Sequence, residues 1–169
     1  GIWSKAVSFE SALHASDTHI AAITETHLGG IPPPIQGYTW ITKSKKQGSG
    51  GLAFVIKNEL VKKTKIVQNL DTGIDDLQCM WAEVENRHKP IFFGVFYGMQ
   101  ESSKKLESEE AARQFQTLTT QINSLKQKGL PILTGDHNAK LAVDKGDIQQ
   151  RISKNGKAMK KMLIDTDTT

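Results

Sequence analysis

Between residues 38 and 97 the chain carries short apolar runs in close succession, broken by polar or glycine-rich turns, and this spacing suits β-strands. Tyr38–Thr42 and Gly51–Lys57 flank the turn Lys43–Gly50. Leu77–Glu85 and Ile91–Tyr97 flank Asn86-Arg87-His88-Lys89-Pro90, a short polar connection suited to a hairpin. The side-chain alternation from Trp81 to Glu85 is imperfect, so that pairing is inferred mainly from the short turn. Thr64–Leu70 is a further strand candidate. Upstream, Ile20–Thr24 is nearly all apolar, the pattern of a strand buried on both faces. Three successive prolines make Gly29–Pro34 a loop.

Helical spacing takes over outside this block. Residues Ser4–His14 set Phe9 and Leu13 on one face. The polar stretch Ser102–Lys128 reads as a loop and then a helix, with Phe115, Leu118, Ile122 and Leu125 in register and Gly129 as the stop. Leu130–Thr134 is a short strand that delivers Gly135 and Asp136. A last helix over Asn155–Asp165 turns Met159, Met162 and Leu163 inward. Hairpins with helices outside them predict an α/β sandwich rather than a purely parallel sheet.

At 169 residues the chain suffices for one domain with a proper core and is too short for two. No run approaches the about 18–20 apolar residues of a membrane span, so no membrane partner is expected. The net charge is +4, from 22 basic and 18 acidic side chains, which leans toward a polyanionic partner. A single cysteine, Cys79, excludes an internal disulfide and any multi-cysteine metal site. Its apolar neighbours Leu77, Met80 and Trp81 mark it as a buried structural thiol, consistent with a reducing compartment, cytosolic or nuclear.

Three segments set polar groups at the ends of apolar strands, where a site can open to solvent on a rigid base. Glu25 ends the run Ile20–Thr24. A carboxylate there suits Mg²⁺, which often takes only one or two protein carboxylates besides water and phosphate oxygens; a solvated strand-end Glu is the plainer alternative. Tyr97 ends Ile91–Tyr97 and is followed by Gly98. Its hydroxyl can bond a phosphate or protonate a leaving group, or simply sit in water above the core. Asp136 and Asn138, two apart in Gly135-Asp136-His137-Asn138-Ala139, can point to one side. An Asp can orient and deprotonate water, and an Asn amide can donate to phosphate; a turn rich in Asp and Asn is the plainer alternative.

Taken together, Glu25-Thr26-His27-Leu28, Gly50-Gly51-Leu52-Ala53-Phe54-Val55-Ile56, Gly94-Val95-Phe96-Tyr97-Gly98 and Gly135-Asp136-His137-Asn138-Ala139 resemble the endonuclease/exonuclease/phosphatase superfamily. Within it the chain is most similar to the apurinic-type endonuclease domains of non-LTR (LINE-like) retrotransposons. Gly37–Ile41 and Leu118–Asn123 add to the likeness, which runs from about Lys5 to Asp165. The resemblance implies a four-layer α/β sandwich of two mixed β-sheets flanked by helices. It also implies a metal-dependent hydrolase acting on DNA, a nicking endonuclease that uses Mg²⁺ or Mn²⁺. By match, Glu25 would hold the metal, Asp136 would orient or activate water, Asn138 would bind the scissile phosphate, and Tyr97 would assist at the phosphate or leaving oxygen. A reverse transcriptase in the parent protein and an intracellular, nuclear location follow from the same resemblance.

The family's pattern also has an Asn on a strand before the first helix and a late Ser-Asp-His motif. Asn58 is the first asparagine here, and nothing after Asp147 matches the late motif. Residues 1–169 are therefore expected to be a single domain truncated at both termini, with uncovered sheet edges and uncertain activity of its own. His27 and His137, beside the motif residues, are candidates to face the site. The lysine clusters Lys43, Lys45, Lys46 and Lys62, Lys63, Lys65 fit DNA better than a lipid or small phosphoester. A phosphatase of that kind, or an inactive remnant that binds nucleic acid by charge, are the competing readings.

Overall fold

The computed structural model describes residues 2–43, 50–68, 70, 77–100, 105–141, 144–145, 148–149 and 152–167. Lys45, Lys46, most of the expected turn Lys43–Gly50 and the start of the expected loop at Ser102 lie outside the described residues.

A 3-10 turn over Ile2–Lys5 leads into helix α1 (Ala6–Ala15) and strand β1 (Ile20–Thr24). Strands β2 (Tyr38–Lys43) and β3 (Leu52–Lys57), the one-turn helix α2 (Asn58–Val61) and strand β4 (Thr64–Ile66) follow. The hairpin β5 (Cys79–Val84) and β6 (Ile91–Tyr97) precedes the long helix α3 (Lys105–Lys126) and strand β7 (Leu130–Asp136). Two-residue strands β8 (Asp144–Lys145) and β9 (Ile148–Gln149) pair with each other before helix α4 (Lys154–Asp167).

One sheet has the order β1-β3-β2 and the other β4-β5-β6-β7. The three-stranded sheet is antiparallel throughout; the mixed pairing expected of both sheets occurs in the second, where β7 runs parallel to β6. The turn-based inference for the hairpin holds, with Cys79 opposite Phe96 and Val84 opposite Ile91.

Three apolar interfaces separate four layers. In β3, Leu52, Phe54 and Ile56 face the second sheet and meet Met80, Ala82 and Val95. The alternate residue Val55 faces α1 and packs with Leu13, Ile35 and Tyr38. On the outer side of the second sheet, Cys79, Trp81, Phe92 and Phe96 pack against Phe115, Leu118, Ile122 and Leu125 of α3 and Met162 of α4. The period-2 alternation of a strand makes each central strand serve two interfaces. The indole N–H of buried Trp81 donates to Gln121 Oε1 at 2.9 Å, so the one polar atom of that ring is matched.

Three expectations are corrected. β1 is half-buried rather than buried on both faces, with Ala22 exposed, because among the described residues it pairs only with β3. Leu163 is 46% exposed, since one helical step carries it about 100° away from Met162, which holds the inward position. Lys43 does not present its ammonium to a ligand; it donates to the carbonyls of Cys79 (2.9 Å) and Leu77 (3.3 Å). Cys79 is buried as expected, and burial pushes its thiol pKa up to about 12. Among the described residues, no helix is long and apolar enough to cross a membrane.

Candidate active site

β1, β6 and β7 all end at the same edge of the sandwich. Their exits carry Glu25, Tyr97 and Asp136, the three strand-end groups singled out in the sequence. Tyr97 and Asp136 are register partners on parallel neighbours, so they leave the sheet side by side. Glu25 reaches Tyr97 from the facing sheet. The Tyr97 hydroxyl donates to Glu25 Oε1 at 2.6 Å, a bond that spans the gap between the two sheets. This short bond to a carboxylate is of the charge-assisted kind. Accepting it, Glu25 favours the protonated phenol and raises the Tyr97 pKa; burial adds to the rise, while contacts from Asn138 and Gln100 oppose it.

The Gly-Asp-His-Asn turn is fixed by its own backbone. Gly135 has φ +120°, and a Cβ there would lie 2.1 Å from the Phe96 carbonyl oxygen, so the close approach of β7 to β6 requires glycine. One residue on, the Gly98 N–H donates to the Asp136 carbonyl at 2.7 Å. The Asn138 N–H donates to Asp136 Oδ1 at 2.9 Å, closing an Asx turn that Asn tolerates in the left-handed region (φ +47°). The Asn138 amide Nδ2 donates to the Gly98 carbonyl at 2.7 Å. Thus the exits of β6 and β7 are tied to each other at side-chain and backbone level.

Glu25 and His27 also lie in the left-handed region, at φ +52° and +48°. Each such residue costs about 1–2 kcal/mol. The bonds Thr26 N–H to Gly51 carbonyl (3.2 Å) and His27 N–H to Gly50 carbonyl (2.8 Å) hold that path in place. Beside Glu25 opens a cleft of ≈340 Å³ lined by Ile2, Lys5 and residues 23–27.

Of the two histidines, His27 is exposed and its Nδ1 accepts the Gly50 N–H at 3.3 Å. His137 turns the other way. Its ring packs on Phe96 at 5.5 Å, and it lines a groove with Met159 and Met162; burial lowers its pKa. It serves the outer core rather than the site.

No group of three His, Cys, Asp or Glu side chains able to hold a metal occurs among the described residues. The site's donors are hard carboxylate oxygens, and a single carboxylate is a sufficient protein contribution for Mg²⁺. Glu25 therefore fits such an ion.

Sequence reading overlooked Asn155. It is 2% exposed, and its Nδ2 donates to the Met99 carbonyl (2.8 Å) and the Asn138 carbonyl (3.1 Å). The one trace in sequence is Gly156 beside it, a glycine kept inside a helix where another backbone approaches closely.

No family model and no curated protein matches the chain. Solved structures do. The endonuclease domain of TRAS1, a telomere-specific non-LTR retrotransposon, aligns at 17% identity with a TM-score of 0.62, over 93% of this chain and 64% of that one. The Neisseria 3′ phosphatase NExo, bound to a product DNA hairpin, aligns at 16% identity and TM-score 0.64, over 85% of this chain and 56% of that one. D. rerio TDP2 with a single-stranded DNA product aligns at 13% identity and TM-score 0.58, over 82% and 55%. The chain spans about two thirds or less of these neighbours and shares their α/β-sandwich fold.

Proposed function

We propose that this domain hydrolyses DNA phosphodiester bonds with the help of Mg²⁺ (or Mn²⁺), as a nicking endonuclease of the retrotransposon type. The observation that carries the reading is the Tyr97–Glu25 bond across the sheets, formed beside Asp136 and Asn138. Four unlike polar groups converge on a rigid edge, and a turn rich in Asp and Asn alone would not gather them. The fold shared with three DNA-processing enzymes, two of them determined with product DNA, supports the same substrate class.

In this reading Glu25 holds the cation, which supplies Lewis-acid stabilisation of the phosphate when bound. Asp136, exposed at the end of β7, orients a water and takes its proton. Tyr97 is a protonated phenol at neutral pH, and its hydroxyl can donate to phosphate or to the leaving oxygen once Glu25 gives up the contact. The Asn138 amide, held on the Gly98 carbonyl by one N–H, offers its second N–H to a non-bridging phosphate oxygen, and fixed donors of this kind stabilise charge as it builds. A reverse transcriptase in the parent protein and work in the nucleus belong to the same proposal.

The test is relaxation of supercoiled plasmid with Mg²⁺, with EDTA, and with Asp136→Ala. Nicking that requires the metal and is lost in the variant is expected. Equal activity of wild type and variant would sink the assignment. Release of phosphate from a phosphoinositide without nicking would move it to the phosphatase reading, and salt-dependent DNA binding without cleavage to a binding remnant.

A further inference from the structure

The first turn of α4 lies against the site's loop. Ser153, directly before the helix, accepts the Lys140 N–H (3.0 Å) and the Gly156 N–H (3.0 Å) on its Oγ, and its own N–H donates to the Lys140 carbonyl at 3.1 Å. Ser153 is thus both the helix N-cap and an anchor for the chain leaving Asn138. A Cβ on Gly156 would sit 2.1 Å from the Lys140 carbonyl oxygen, so helix and loop are in contact there. Between these two contacts stands Asn155, whose single amide nitrogen bridges two carbonyls: Met99, just beyond β6, and Asn138, just beyond β7.

We propose that Asn155 is a positioning residue for the active site, acting through Asn138; the inference rests on the reading of Asp136, Asn138 and Tyr97 as reacting groups. Three polar groups of Asn138 are then held. Its N–H is on Asp136 Oδ1, its side-chain amide on the Gly98 carbonyl, and its carbonyl under Asn155. Only the last contact comes from outside the two strand exits. It adds to the bonds the exits make with each other a restraint on Asn138, which sits at φ +47°, and a tie from α4 to both exits. The chemistry of the position is specific. Two N–H donors on one nitrogen match two carbonyls, an Asp would set a buried negative charge against both, and an Ala would leave both carbonyls without that donor.

The test uses Asn155→Ala and Gly156→Ala, the second pushing the helix off Lys140 from the other side. Asn155→Ser, which retains one donor, takes the place of Asn155→Ala if the latter does not fold. Amide NMR spectra are expected to move at Gly98, Met99 and Asn138 in both kinds of variant. Plasmid nicking is expected to fall about 10- to 100-fold in kcat, with KM for DNA changed less than about threefold. Added to Asn138→Ala, Asn155→Ala should cause no further loss of kcat, because the two act as one unit. Met162→Ala, which loosens α4 on its other face, should lower stability and leave kcat unchanged at temperatures where it is folded. Unmoved Asn138 and Gly98 signals, or losses that simply add, overturn the proposal. Absence of nicking by the wild type would refute the nuclease reading alone, and the NMR comparison would still decide whether Asn155 positions Asn138.

Discussion

Replacing Gly135 by alanine addresses the joint between fold and site. The added Cβ would lie 2.1 Å from the Phe96 carbonyl oxygen and 3.0 Å from both the nitrogen and the carbonyl carbon of Phe96, all of them backbone atoms of a fully buried residue. No side-chain rotation relieves that contact. Holding an L-residue at φ +120° adds about 1–3 kcal/mol of strain. Overpacking of the clash adds about 1–3 kcal/mol more. Parting the strands weakens the Gly98–Asp136 bond, a net contribution of about 0.5–1.5 kcal/mol. The expected loss is on the order of 2.5–7.5 kcal/mol, a large share of the roughly 5–15 kcal/mol that stabilises a typical domain. Urea denaturation measures it, with an unchanged slope confirming that both states keep their compactness. Gly29→Ala, where nothing lies within 4 Å of the new methyl, is the matched control and should be near neutral. A loss below about 1 kcal/mol for Gly135→Ala would refute the close approach of β7 to β6 on which the site's geometry depends.

Tyr97→Phe should slow nicking by about 10²-fold or more while leaving the melting temperature nearly unchanged, because the lost hydroxyl lies at the rim; a rate within threefold of wild type would remove Tyr97 from the chemistry. Gln121→Leu should destabilise the domain by about 1–3 kcal/mol, since the Trp81 N–H is left buried without an acceptor; thermal melts that coincide with wild type would contradict that bond. His137 should titrate below the usual histidine value by NMR, as burial lowers its folded pKa. With the folded value depressed, its contribution to stability is complete above pH about 6.5 and is lost as pH falls through the folded pKa. His137→Phe should flatten that part of the stability profile, and an unaltered profile would show that other groups set it.

Local pattern carried most of the architecture. Helical spacing of Phe115, Leu118, Ile122 and Leu125 located α3, and all four are buried in the outer core as the periodicity required. The short polar connection of residues 86–90 identified the β5–β6 hairpin despite imperfect alternation, because chain length leaves antiparallel neighbours as the simple solution. The depth of β1 was misjudged for a complementary reason. Its apolar run reflects contact with α1 on one face and the second sheet on the other, whereas burial also depends on having strands on both edges. The inward side of α4 was right for Met162 and wrong for Leu163, since a helical step of about 100° takes Leu163 past the edge of the buried stripe that Met162 occupies.

The site divides in the same way. That Glu25, Tyr97, Asp136 and Asn138 stand at strand ends is a property of sequence, because an apolar run followed by a polar group and a glycine states where a strand stops. The sequence also determined that Gly135 could make a tight exit, and the family resemblance suggested which chemistry the motif serves. Only the tertiary structure decided that Glu25 meets Tyr97, 72 residues away, since that contact depends on how two sheets face each other. It likewise sent His137 into the outer core while leaving Asp136 exposed, and it brought Asn155 beneath Asn138. Strand ends and helix faces are written in short-range periodicity; which ends come together is set by burial of the interfaces between layers, and no local window of sequence contains that information.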